Sequence, residues 1–121
     1  MANKSIQDLI VKRKEALKDL LEKLKKDGKK MSYGLADETL GFKVIPILHR
    51  ITDEEILNPG EGFLSGLIVN KGTWKPGVGF FTKVRESKDF FINPEKDEVE
   101  NYHLQMGKIH KNLYRQPKPK F

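Results

Sequence analysis

The sequence contains no cysteine. That absence removes disulfide bridges, a thiolate nucleophile and every cysteine-based zinc site, and it suits a reducing cytoplasm. No run approaches the ~18 apolar residues of a membrane-spanning helix. The opening stretch MANKSIQDLIVKRK lacks the apolar segment of a secretory leader, so none is expected. No self-similarity recurs at a period of about 20–50 residues, which argues against a repeat array. The glycines at 60, 62, 72, 77 and 79 are not followed by Gly-Lys-Ser/Thr in a strand-then-helix frame. They read as turn geometry rather than as a phosphate loop.

What is present is charge on a chain of 121 residues, the size of one domain. Lys and Arg number 23 against 17 Asp and Glu, a net +6. The distribution is uneven: +5 over residues 1–30, −3 over 31–60, +3 over 61–85 and +1 over 86–121. Phosphates would be drawn to the first and third segments. Lysines that simply keep a small domain dissolved are the plainer account.

Apolar periodicity outlines the elements. Ile6, Leu9, Ile10, Leu17, Leu20, Leu21 and Leu24 recur at spacings of three and four, which predicts an amphipathic helix from about Ser5 to Lys26. Asp27-Gly28 ends it, with Gly28 suited to a left-handed cap. The stripe reads as core, with a coiled-coil dimer seam as the alternative. Ser32 caps a short second helix through Tyr33, Ala36 and Leu40, and Gly41 stops it. A helix starting near Pro46 follows, and Thr52-Asp53-Glu54-Glu55 reads as a capping box opening a further turn. Phe63 to Asn70 reads as a strand, Lys71 to Gly77 as a turn-rich tip, and Val78-Gly79-Phe80-Phe81 as the return arm of a β-hairpin. Asn58 to Gly62 is a loop. Asn93 as cap and Pro94 as first residue open the last helix, whose stripe is Val99, Tyr102, Met106, Ile109 and Leu113. Leu17, Leu21, Ile47, Leu67 and Tyr102 are expected to be buried together.

The expected fold class is therefore α+β, mainly α, and winged-helix-like: a long N-terminal helix, two short helices, a β-hairpin wing and a C-terminal helix. One domain covers 1–115, and 116–121 form a flexible basic tail, since Gln116-Pro117-Lys118-Pro119-Lys120-Phe121 cannot continue a helix.

Three motifs carry a resemblance. Tyr33-Gly34, Leu64-Ser65-Gly66-Leu67-Ile68-Val69-Asn70-Lys71 and Pro76-Gly77-Val78-Gly79-Phe80-Phe81 resemble a pattern shared by a set of small uncharacterised bacterial proteins. The likeness spans about 50 residues, from Met31 to Phe81. The stretch MSYGLADETLG is more distantly similar to the start of the helix-turn-helix in alkyltransferase-like winged-helix DNA-binding domains. Tyr33, Gly34 and Ala36 match there, with Ala36 one place nearer Tyr33 than the pattern asks, and His49-Arg50 matches faintly. That resemblance implies DNA binding. Alkyl transfer is excluded by the missing cysteine.

Other constellations support less. His103 and His110 lie seven apart, about 10 Å along a helix axis, and cannot chelate one metal as a pair. Glu100 and His103 lack a third ligand. His49-Arg50 beside Asp53, Glu54 and Glu55 is either an acid–base cluster or a polar helix face with an Arg50–Glu54 pair, and the second is favoured. Phe80 and Phe81 read as core, whereas Trp74, between Gly72 and Pro76, reads as an exposed tip able to stack on a base. No enzyme, metal or cofactor is expected. The functional expectation is a small nucleic-acid-binding module making mostly backbone contacts, regulatory or accessory in a bacterium or phage. Lys71, Trp74 and Lys75 would act on the wing, with Lys83, Arg85, Tyr33 and Arg50 nearby and Asp53, Glu54 and Glu55 facing away. The alternative is a protein-interaction domain, an inhibitor or accessory subunit, with no nucleic-acid role. Either is compatible with a monomer or a homodimer, cytoplasmic and without a membrane.

Overall fold

The computed structural model of the chain describes residues 2–60 and 62–120, with side chains from Ser5 onward. Glu61, assigned from sequence to a loop, and Phe121, assigned to the tail, lie outside the described residues. The order is α1 (Ala2–Asp27), β1 (Met31–Ser32), α2 (Tyr33–Leu40), α3 (Val44–Leu57), a 3-10 turn (Leu64–Leu67), β2 (Ile68–Val69), α4 (Val78–Val84), α5 (Glu98–Ile109) and a closing 3-10 turn (Lys111–Leu113). The fold is mainly helical with one small sheet. No described helix is long and apolar enough to cross a membrane.

The helix ends follow their capping chemistry. Gly28 and Gly41 take φ of +64° and +78° at the C-termini of α1 and α2, a region open to glycine at little cost. Ser32 Oγ accepts the Leu35 amide at 3.3 Å and so caps α2. α1 starts at Ala2, so Ser5, the expected start, lies inside it. Its stripe divides. Leu17, Leu21 and Leu24 are buried against α3 and the first 3-10 turn, whereas Ile6 and Leu9 stay exposed, as does Val11 beside the stripe.

Three further expectations are corrected. α3 is continuous from Val44 to Leu57. Thr52 opens no new turn, because its hydroxyl donates to Leu48 O at 3.0 Å inside the helix. α5 begins at Glu98 under an Asp97 cap that accepts from the Glu100 amide at 2.8 Å, not at Asn93. Asn93 instead makes a local turn, its side chain accepting from the Glu95 amide at 3.1 Å. The β-hairpin is replaced outright. Residues 64–67 coil into the 3-10 turn, and β2 pairs in parallel with β1, Met31 opposite Ile68 and Ser32 opposite Val69. The would-be return arm is the helix α4.

The reason lies in the aromatics. A strand sends successive side chains to opposite faces, yet Phe80, Phe81 and Val84 are all buried. A helical turn places them on one face, where Phe80 and Phe81 meet Tyr102 edge-on, at 6.1 and 5.9 Å between ring centres. Phe90 joins this cluster through Phe80 and Phe63. Tyr102 donates its hydroxyl hydrogen to Gly66 O at 2.7 Å, which ties α5 to the 3-10 turn. Leu17, Leu21, Ile47, Leu67 and Tyr102 are all buried in this one core.

Candidate functional site

The sequence-predicted tip is not a wing. Trp74 is 8% exposed and sits in the left-handed region at φ +59°. Asn70 organises the turn around it. The Asn70 side chain accepts the Gly72 amide at 2.7 Å, and its carbonyl accepts the Trp74 amide at 2.8 Å. The indole Nε1 donates to Gln116 Oε1 at 3.4 Å. Gln116 Nε2 in turn donates to Gly28 O and Asn112 O, both at 3.1 Å. Gln116 thus stitches the turn to the end of α1 and to the closing 3-10 turn, while Pro117 to Lys120 remain exposed.

These contacts enclose a groove of about 640 Å³. Its sides are the link from α1 into β1, the outer face of α2 with Leu35 and Glu38, the turn carrying Lys71 and Trp74, and the prolines after Gln116. Lys30 forms the floor. It is 7% exposed, donates from Nζ to Trp74 O at 3.2 Å, and lies 4.8 Å from the centre of the Tyr102 ring. Burial pushes its ammonium down to about 8, with the Lys75 charge adding to the effect. Lys29 and Lys71 line the same groove. His103, half-buried beside Tyr102, is held below its ordinary value by burial and by the charges of Lys30 and Arg115.

The seven predicted residues therefore separate. Lys71 and Trp74 line the groove, and Lys75 reaches it through its charge on Lys30. Tyr33 is half-buried and its hydroxyl oxygen accepts the Gly77 amide at 2.9 Å, so it fixes the base of the turn. Burial raises its phenol above the ordinary value. Lys83, Arg85 and Arg50 do not line the groove. Lys83 pairs with Asp53 at 2.7 Å, and Arg85 grips Glu98 through two hydrogen bonds of 2.7 and 3.0 Å. Arg50 is exposed on α3 and does not pair with Glu54, which instead meets Lys14 and Lys18 at 3.1 and 3.4 Å.

Glu55 completes the engagement of the acidic block. Both of its carboxylate oxygens accept the Ser65 amide, at 3.2 and 3.3 Å. Burial pushes this carboxyl up to about 7, although the Ser65 hydroxyl, the amides of Ser65 and Leu64 and the Lys18 charge all pull the other way.

Sequence reasoning missed Lys29, Lys30 and Gln116. Lys30 sits between a helix stop and a two-residue strand, where no periodicity marks its side. Gln116 was assigned to a tail. No family model, curated protein or solved structure matches the chain.

Proposed function

We propose that the chain is a small basic nucleic-acid-binding module that engages phosphates at the lysine-floored groove rather than at a protruding wing. The observation that carries this reading is the convergence of Lys29, Lys30 and Lys71 on one groove, with Lys75 beside its floor and Glu38 the one acid among its described lining residues. Such a concentration of one sign of charge favours phosphate. The acidic block of α3 is occupied by Lys83, Lys14, Lys18 and the Ser65 amide, so it leaves the groove's field largely intact. What supports the winged-helix side of the reading is the pair α2 and α3, joined by a three-residue link containing Gly41. What weakens it is the folded tip. Contact is therefore with the nucleic-acid backbone at the groove, without a wing.

A mobility shift at two salt concentrations tests it. If about four to six phosphates are neutralised, the log–log slope of affinity against salt is about −4 to −5 on duplex DNA, and shallower on a single strand. A slope near zero, or no binding at low salt, moves the account to the alternative, a protein-interaction domain. One observation favours that second reading: Ile6, Leu9 and Val11 are 56%, 47% and 48% exposed on the first turns of α1.

A further inference from the structure

Lys30 presents an uncompensated charge. It is 7% exposed, and among the described residues no carboxylate pairs with it. Its ammonium has the Trp74 carbonyl and the face of Tyr102 for company. Glu38 lines the same groove without pairing with Lys30, and the groups in contact with Lys30 add no negative charge. Lys75 repels it, and His103 and Tyr102 are held toward their neutral forms. Glu100 on α5, whose charge acts on His103, is bound by Arg115. A buried cation in this state is costly until an anion meets it, and Lys30 lines the groove from which an anion can reach it.

We propose that the groove seats one unpaired nucleotide of a single strand, its phosphate on Lys30 and Lys29 and its base against the walls formed by Met31, Leu35, Trp74 and Pro117. The inference rests on the nucleic-acid reading above and names the class of nucleic acid. Two features select a nucleotide over a simple anion or a duplex. The volume of about 640 Å³ lies within the about 300–1,000 Å³ of small-ligand sites, far more than a lone phosphate fills, and these walls are largely apolar. A stacked duplex holds its phosphates on a stiff convex ridge, which cannot lower one onto a buried ammonium. An unpaired nucleotide turns freely about its backbone and presents both a phosphate and an apolar base face.

Fluorescence anisotropy with a short labelled oligothymidylate tests the seat. The comparisons are its duplex with oligoadenylate, the same strand with abasic sites, and oligouridylate to separate DNA from RNA. The single strand binds about tenfold tighter than the duplex, and removal of its bases abolishes that advantage. Lys30→Met lowers single-strand affinity about tenfold and duplex affinity less than about twofold. The abasic comparison uses the unaltered protein, so it stands whether or not the variant folds. Equal affinity for strand and duplex, or for strand and abasic strand, overturns the single-nucleotide seat and leaves nucleic-acid binding standing. Absence of binding to every probe at low salt overturns both.

Discussion

Lys30 and Glu55 are ionisable groups placed where water is scarce, and each leaves a signature in stability against pH. Lys30 falls to about 8 from 10.5 on folding. Between those values the unfolded chain holds a proton that the folded chain has released, so stability rises with pH across that window. Lys30→Met removes this rise. It strands no partner carboxylate but takes the donor from the Trp74 carbonyl, so at pH 7 the variant stays within about 1–3 kcal/mol of the parent. Urea denaturation at pH 7 and pH 10 reads both effects, and a parent and variant with the same pH slope contradict the assignment. Glu55 has the opposite sign. It rises to about 7 from 4.5, so the folded chain holds a proton that the unfolded chain has lost. Its contribution is complete below pH 4.5 and is lost as pH rises through 7. Glu55→Gln keeps an acceptor for the Ser65 amide and removes the titration. The variant is more stable than the parent above pH 7, by roughly 2 kcal/mol, and the difference closes toward pH 4.5. Melting temperature against pH for the pair measures it.

Elements were legible wherever a single period and a cap coincided. α1 and α2 have both, and their Gly28, Ser32 and Gly41 ends lie where sequence places them. The stretch from Leu64 to Val84 has neither. Its β-forming residues fit a strand or a buried helical turn equally well at such short length. The choice is made by Tyr102, which enters from α5 and takes the Gly66 carbonyl. Thr52 and Asn93 misled for a related reason: hydroxyl and amide side chains bond nearby backbone inside a helix or a turn as readily as at a cap. Gly66 is where these packing demands meet. A Cβ there would lie 2.9 Å from Met106 Cε, 3.1 Å from Tyr102 Cε1 and 3.4 Å from Phe80 Cζ. Gly66→Ala is therefore expected to cost about 1–3 kcal/mol, the range of an overpacked core. A loss within the ~0.5 kcal/mol of a surface change, in an equilibrium urea titration, would show that the two rings and the thioether are not packed this closely.

For the molecule as a whole, the net charge of +6 was legible in the sequence while the place where its lysines converge was not. Lys71 and Trp74 were legible because they stand in a turn. The floor and the stitch of the groove were not, because their partners are 44 and 88 residues away in sequence. Lys29→Glu with Lys71→Glu reverses two exposed charges of the groove, so nucleic-acid affinity falls steeply while stability moves by no more than ~0.5 kcal/mol per site. Lys83→Glu with Arg85→Glu removes two cations already held by Asp53 and Glu98 and weakens binding much less. Filter binding at one low salt concentration ranks the two double variants, and the reverse ranking would place the contact face on α4. One feature of the groove also bears on how the protein can be watched. Trp74 is the only tryptophan in the chain, and its indole is bonded to Gln116 at the groove wall. Emission excited at the red edge of the protein spectrum therefore comes from this one place, so the native chain carries its own optical reporter. A shift in colour or quenching on titration marks an event at the groove, and a ligand that docks elsewhere leaves the emission unchanged.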